Sequence, residues 1–320
     1  MFNSDLLEIL SRITPEEEEI LKSHEVDLNN YTDSQTKVFD ANKLLKSGKL
    51  IQIRPHTRFV HFPKHTHNYI EIIYMCKGST THIVNGEEIV LNEGELLFLN
   101  QNAVQEIEPA GKDDIAVNFI VVPAFFDRAL QMMDVEDNPI RNFLIGCMLG
   151  RDDDRTGFLH FKVSDVLPVQ NLVENLIWSL VNELSGKRSI NQITMGLLIL
   201  QLMNQTEKVR VGENNTDSEK MLRVYRYIDE NYKDGELTEL SNLLKVSDYW
   251  LSRFIKKKTG KTYTQLVQEK RLSQACYLLK NTSLSVSDIC DLVGYENTSY
   301  FYRLFKKEMG CFPKEFRKEA

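Results

Sequence analysis

LSRFIKKKTG at Leu251–Gly260 and FYRLFKKEMG at Phe301–Gly310 are one pattern written twice, 50 residues apart. In each, apolar residues fall at i, i+3 and i+4 (251, 254 and 255; 301, 304 and 305). Arg and Lys are left on the other side, as an amphipathic helix requires. Ser247 and Asn297 stand ahead of the two runs, and both are good N-cap residues. A register of 49 aligns what precedes them: Leu240 with Ile289, Ser241 with Cys290, Leu244 with Val293 and Val246 with Tyr295. The change of register by one predicts a longer turn in the second copy, where Gly294 can take an unusual backbone angle. Each copy therefore reads as a short helix, a tight turn and a capped helix, with a small residue (Ser241, Cys290) where the helices cross closely. That is a helix-turn-helix, whose second helix enters the DNA major groove. A solenoid of helical hairpins is the competing reading, and it needs more than two copies.

Between the copies, YTQLVQEKRLSQACYLL at Tyr263–Leu279 lacks Pro and Gly and reads as one helix that fixes the spacing of the two units. If both read the same face of a duplex, their recognition helices should sit about one turn, ~34 Å, apart.

With those residues in view, the C-terminal segment resembles the DNA-binding domain of the AraC/XylS regulators. LSRFIKKKTGKTY, RLSQACYLL, VSDICDLVGYENTSYFYRLFKKEMG and FPKEFR carry the resemblance over about 100 residues, both helix-turn-helix units and the connecting helix included. Ser241 and Cys290 stand where alanine is usual, Lys270 replaces an apolar residue, and Phe312 takes the place of a small residue before Pro313. None of these departures is expected on the reading face; Cys311 and Phe312 are expected to alter terminal packing. The resemblance implies that the first recognition helix presents Tyr249, Ser252 and Arg253 to bases, with Lys256 near phosphate. The second would present Thr298, Ser299, Tyr302 and Arg303, with Lys306 in the equivalent phosphate role. The chemistry agrees, since Arg binds guanine O6 and N7 bidentately while Tyr and Thr offer apolar contact to thymine methyls. A surface salt bridge is the plain alternative for Arg253 and Arg303.

The 320 residues suffice for two domains, and the formal net charge of −7 conceals two opposite halves. Residues 1–217 hold 20 Lys and Arg against 32 Asp and Glu, whereas residues 218–320 hold 19 against 14. The basic half is the candidate for phosphate contact, with a solvated lysine-rich surface as the alternative. All seven histidines lie at or before His160, five of them between His56 and His82. The polar run TEKVRVGENNTD at Thr206–Asp217 reads as an unstructured linker. The expected domains are a helical extension (1–49), an effector-binding β domain (50–205), the linker (206–217) and the DNA-binding domain (218–320).

From Leu50 to about Val122, the segments YIEIIYMC, TTHIV, GEEIVL, ELLFLN and DIAVNFIVV alternate with Gly78, Gly86 and Gly94. They predict an antiparallel barrel or jelly roll, so the chain as a whole is α+β with an all-α C-terminal part. His65-Thr-His67-Asn-Tyr-Ile-Glu71 with Gly78 resembles the first cupin motif, and Gly86 with Gly94 the second. This cupin-like domain fits the sensor commonly fused to AraC-type DNA-binding domains. Strand alternation places His65, His67, Tyr69 and Glu71 on one face. Two imidazoles and a carboxylate could hold a divalent metal, but the resemblance calls for a further histidine near position 105, where Gln105 stands. His82 is a possible substitute. A metal, a polar small-molecule pocket and a purely structural pair of histidines all remain open readings. A wall of His, Glu, Gln and Tyr suits a hydroxylated effector, and the resemblance implies a carbohydrate as first guess.

Leu172, Val173, Leu176, Ile177, Leu180, Val181 and Leu184 form a wide helical stripe, Gly186 marks a turn, and Ile190–Met203 gives a second helix. They are expected to pack on the barrel, and the resemblance adds a homodimer seam. Thr14-Pro15-Glu16-Glu17 is a capping-box start for an N-terminal helix. Neither a secretory signal nor a membrane-spanning apolar run is visible, and five scattered cysteines (76, 147, 276, 290, 311) without a CxxC suit a reducing cytoplasm. No GxSxG, P-loop, dinucleotide fingerprint or HExxH points to catalysis or to a cofactor. The expected function is a ligand-responsive regulator binding double-stranded DNA, an activator by family habit and so a partner of RNA polymerase. The rivals are a cupin-type metalloenzyme tethered to DNA and a DNA-binding protein that responds to no ligand.

Overall fold

A computed structural model describes residues 2–32, 37–46, 48–101, 103–126, 145–146, 157–182, 187–212 and 216–319. Leu184, Gly186 and Cys147 lie outside them. The described chain divides into two compact units, one reaching Glu219 and one beginning at Lys220.

The first unit is built on two sheets. One has the order β1 (Val38–Phe39), β3 (Phe62–His67), β8 (Gln105–Ile107), β5 (Ser79–Val84), β6 (Glu87–Asn92). The other runs β11 (Val209–Val211), β10 (Phe158–Phe161), β7 (Leu96–Leu99), β4 (Ile70–Lys77), β9 (Ile115–Val121), β2 (Ile51–Pro55). Pairing is antiparallel except between β1 and β3. β4 is buried along IEIIYMC because it is central in its sheet and covered on both faces, whereas β5 alternates. Ile73, Met75, Val84, Ile89, Leu91, Leu97, Leu99 and Phe158 from both sheets form one core between them. The expected mixed α+β architecture is the one observed.

Three expectations about this unit need correction. Residues 1–49 are part of its core: Phe39 pairs with His67 through β1, and Tyr31, Phe39, Ala41 and Leu44 cluster with Phe62, Tyr69, Ile107 and Ile120. The stretch 206–217 is not free chain over its first half. Thr206–Lys208 is a 3-10 turn, and Val209–Val211 pairs with Phe161–Leu159, because Val209 and Val211 alternate inward around Arg210 within an otherwise polar run. Finally, His65 to Glu71 do not lie on one strand. The chain leaves the first sheet at His67, turns, and enters the second as β4, so Glu71 faces the interior from the opposite sheet.

Helix α1 (Ser4–Ser11) leads to α2 (Pro15–Ser23), whose Thr14 and Glu17 form the expected capping box. Glu17 does more than cap. It is buried and takes a bidentate ion pair from buried Arg58, Nε–Oε1 2.7 Å and Nη2–Oε2 2.9 Å. Arg58 also donates to the carbonyls of Ser11, Arg12 and Lys112, tying α1 and α2 to the β structure. Burial pushes the Glu17 carboxyl up, but hydrogen bonds from Arg58 and Thr14 outweigh it and hold the pKa below the ordinary value. After α3 (Ala41–Leu44) come the two apolar helices, α4 (Leu167–Val181) and α5 (Lys187–Met203). Val169, Val173, Leu176 and Ile177 of α4 and Met195, Leu198, Ile199 and Leu202 of α5 are buried. Ile190, Ile193 and Leu197 form a second row on α5 that remains 45–56% exposed.

The second unit is all helical: α6 (Thr216–Asn231), α7 (Leu237–Leu243), α8 (Asp248–Thr259), α9 (Tyr263–Asn281), α10 (Val286–Leu292), α11 (Thr298–Met309) and α12 (Pro313–Glu319). Ser247 and Asn297 are the N-caps of α8 and α11, and Gly260 and Gly310 end those helices in left-handed conformations. The turn between α10 and α11 is one residue longer than that between α7 and α8, and Gly294 has φ +86°. Lys245, its counterpart in the first copy, also has positive φ, +54°.

Candidate ligand cavity and nucleic-acid interface

Inside the β unit, a small cavity of about 30 Å³ is lined by polar groups from both sheets in an apolar frame. His65, Tyr69 and Glu71 line it, as do Arg54, His56 and Asn118. His67, His82 and Gln105 are buried nearby but are not on its lining. Tyr31, Phe39 and Leu44 of the N-terminal segment complete the wall.

The hydrogen bonds fix most proton positions. His65 and His67 each place Nδ1 2.7 Å from a carbonyl, those of Pro63 and Tyr69. A carbonyl only accepts, so both imidazoles carry the proton on Nδ1 and leave Nε2 as an acceptor. Asn118 donates Nδ2 to Glu71 Oε1 at 2.8 Å, which turns its Oδ1 toward His56 Nδ1, also at 2.8 Å. His56 therefore donates from Nδ1, and its Nε2 is likewise an acceptor. Gln105 donates to His82 Nδ1 at 3.0 Å, and His82 Nε2 reaches Thr80 Oγ1 at 2.9 Å. In and around this cavity, Nε2 of His56, Nε2 of His67 and Oε1 of Gln105 are buried acceptors left without a partner among the described residues.

Burial governs the charges. It lowers His65 and His67 to about 4, and pulls His56 and His82 down as well, so these rings are neutral near pH 7. Burial raises Glu71 to about 7, opposed by the Asn118 hydrogen bond and by Arg54. Arg54 itself donates to Glu16 at 2.7 Å and lies over the Tyr31 ring, 4.8 Å from its centroid. Among the described residues no group of three or more His, Cys, Asp or Glu is arranged to hold a metal ion.

Sequence reasoning missed Arg54, His56 and Asn118. His56 belonged to the conspicuous histidine cluster, but its role depends on β9, more than 60 residues away, and no local spacing encodes that pairing.

In the helical unit, Tyr249, Ser252, Arg253 and Lys256 are exposed along α8, and Arg253 donates to Tyr249 Oη at 2.7 Å. Neither Arg253 nor Arg303 is ion-paired among the described residues. On α11, Ser299, Arg303 and Lys306 are exposed, while Thr298 and Tyr302 are half-buried. Tyr302 packs against the core of the second helix-turn-helix. Phe312 was not expected to touch this face, and it does: its ring is 6.4 Å from that of Tyr302, and Lys306 Nζ lies 4.1 Å from its centroid. Lys270, the other departure, is buried against Asp229 and the Tyr232 ring.

Comparison with known proteins matches residues 48–150 to an AraC-like ligand binding domain and residues 240–319 to a helix-turn-helix domain. The chain belongs to the AraC/XylS family. As an AraC-family protein it is a ligand-responsive, DNA-binding transcription regulator. It is similar to the HTH-type transcriptional activator RhaS of Mannheimia succiniciproducens, 24% identical over 257 residues, 80% of this chain and 89% of the relative. The activator RhaR of Cronobacter sakazakii is 23% identical over 266 residues, covering 81% and 87%. Among solved structures, ToxT from Vibrio cholerae aligns over 84% of this chain and 98% of its own, at 15% identity and a TM-score of 0.36. The C-terminal domain of AraT from Geobacillus stearothermophilus covers 33% of this chain and 89% of its own, at 32% identity and a TM-score of 0.31. No helix among the described residues is long and apolar enough to cross a membrane.

Proposed function

We propose that the barrel cavity is the effector site of this regulator and that its effector is a small hydroxylated molecule, with a carbohydrate the first candidate. The observation that carries this is the bare Nε2 acceptor of His56, buried in the cavity wall beside the Glu71 carboxyl and without a partner among the described residues. Buried acceptors are stabilised by hydroxyl donors, and a polyol supplies several in fixed directions. The activators RhaS and RhaR support a gene-activating role, which brings RNA polymerase in as a partner. A cavity of about 30 Å³ holds little more than a water, so the effector must displace the cover formed by Tyr31, Phe39 and Leu44. That displacement gives the two states between which a ligand selects.

The reader is residues 218–320, with Tyr249, Ser252, Arg253, Thr298, Ser299, Tyr302 and Arg303 at bases and Lys256 and Lys306 at phosphates. Two copies of the chain pair through the exposed row Ile190, Ile193 and Leu197, which leaves the buried side of α5 to its own barrel. The protein binds and does not catalyse, and it works in the cytoplasm, where its DNA is. Calorimetry across a panel of monosaccharides tests the effector reading. A saturable heat that Glu71→Gln and His56→Ala both weaken at least tenfold, with unchanged DNA affinity, is the expected result. The absence of any binding sugar, or binding that ignores both substitutions, would overturn it.

A further inference from the structure

A second and much larger cavity lies elsewhere in the β unit, between β2 and the helices α4 and α5. Its volume is about 430 Å³, within the range of ~300–1,000 Å³ typical of small-molecule pockets. The floor is apolar, made by Leu50, Ile51 and Ile53 on one side and Phe125, Leu180 and Val181 on the other. Among the described residues, charge enters from one sign only: Lys46, Lys49 and Arg188 line the cavity, and no described carboxylate does. None of the three cations is ion-paired among the described residues. Asn191, only 2% exposed, also lines the cavity, and its Oδ1 has no hydrogen-bond partner among the described residues.

These features define a ligand by complement. An apolar body would cover the hydrophobic floor, a negative head would meet three cations that no described residue neutralises, and one O–H or N–H would satisfy Asn191 Oδ1. A neutral polyol fits poorly, since the floor is apolar, Gln52 Oε1 already accepts from Lys46 N–H, and Asn191 Oδ1 is the one unpartnered side-chain acceptor the described lining offers it. We propose that this cavity is a second ligand site, distinct from the barrel interior, for an amphipathic anion carrying a hydrogen-bond donor.

The dye 1-anilinonaphthalene-8-sulfonate has this composition, with an aromatic body, a sulfonate and an anilino N–H. N-phenyl-1-naphthylamine is the same molecule without the sulfonate, so the pair isolates the anionic requirement. Fluorescence titration of the full chain should show saturable binding of the sulfonate at one dye per chain, at least tenfold tighter than the neutral amine. Lys49→Gln combined with Arg188→Gln should weaken the sulfonate at least tenfold while leaving the neutral amine within about twofold. Leu180→Trp, which intrudes on the shared apolar floor, should weaken both. The charge variant alters only exposed or half-buried side chains, so the test stands even if Leu180→Trp does not fold. Non-saturable binding, equal affinity for the two dyes, or affinity unmoved by the charge variant would each overturn the assignment.

Discussion

The two units treat buried polar groups differently. In the helical unit most of them end on a partner within the unit: Tyr263 Oη donates to the Gly235 carbonyl, Arg271 to those of Tyr232 and Lys233, and buried Lys270 pairs with Asp229. Tyr295 Oη is an exception. In the β unit, by contrast, acceptors on His56, His67 and Gln105 end on nothing described. Unpartnered buried acceptors lower stability, and they persist where a bound molecule can complete them. The helical unit is thus closer to a finished structure, and on the proposed function a bound effector would complete the β unit.

The largest effect that sharpens this contrast lies in how each unit buries charge. Arg58 and Glu17 are both about 2% exposed, so Arg58→Met strands a carboxylate and should cost about 3–5 kcal/mol in urea unfolding of the β unit. Lys270→Met in the reader removes a less buried cation, its side chain 9% exposed, and leaves an Asp229 side chain that is 38% exposed, so water reaches the carboxylate although Oδ1 itself is buried. Its expected cost is below about 1 kcal/mol. Equal costs at the two sites would break the contrast.

Next in size is the titration of Glu71. Its folded pKa, about 7, lies above the ordinary value of 4.5, so the folded state keeps a proton that the unfolded state loses. Stability from this group is therefore intact below about pH 4.5 and falls as pH rises to about 7, by roughly 3 kcal/mol. His65 and His67, lowered to about 4, act in the opposite sense, since their unfolded forms bind protons up to about pH 6.5. Glu71→Gln isolates the carboxyl from them: the variant should gain on the parent steadily from pH 4.5 to 7 and then level. A difference between the two proteins that does not change with pH would remove Glu71 as an ionisable wall of the cavity.

How much could be read in advance follows the same division. The reader was legible because its contacts are local and repeated: the caps Ser247 and Asn297, the small residues Ser241 and Cys290 and the longer second turn all follow from two superimposed registers. What it hid was Phe312 on the recognition helix and the positive φ of Lys245, since a lysine gives no sign of a left-handed turn. The sensor's strands were legible as patterns, but its cavity was not. Arg54, His56, Asn118 and Glu71 meet only because β2, β4 and β9 are neighbours in one sheet, a pairing that no spacing in the chain records.

The two turns of the reader give a smaller and more exacting test. A Cβ on Gly294 would lie 2.6 Å from the Lys233 carbonyl oxygen, and the residue's φ is +86°, so Gly294→Ala should cost about 1–3 kcal/mol. Lys245→Gly relieves the same backbone angle in the first copy but loosens the unfolded chain, and the two effects leave it within about 1 kcal/mol of the parent. Thermal unfolding separates the two variants.

The remaining expected changes concern DNA affinity and leave the fold's stability as it is. Arg253 is exposed and engaged with Tyr249 along one face of α8, so its guanidinium is partly ordered before DNA arrives. Arg253→Ala should relax preference at one base pair, by roughly 1–3 kcal/mol, and leave the others as they were. Lys256, the proposed phosphate contact, is exposed three residues further along and has no comparable partner among the described residues. Lys256→Ala should weaken all sequences alike and reduce the salt slope by about 1. Lys306, held over Phe312, tests the same role in the second copy. Phe312→Ala frees that ammonium without removing it, so its expected effect is a shift in affinity common to all sites. Binding-site selection on the three variants discriminates among these outcomes. A sequence-specific change from Phe312→Ala would mean that the aromatic ring sets the position of Tyr302 at the bases as well as that of Lys306 at the backbone.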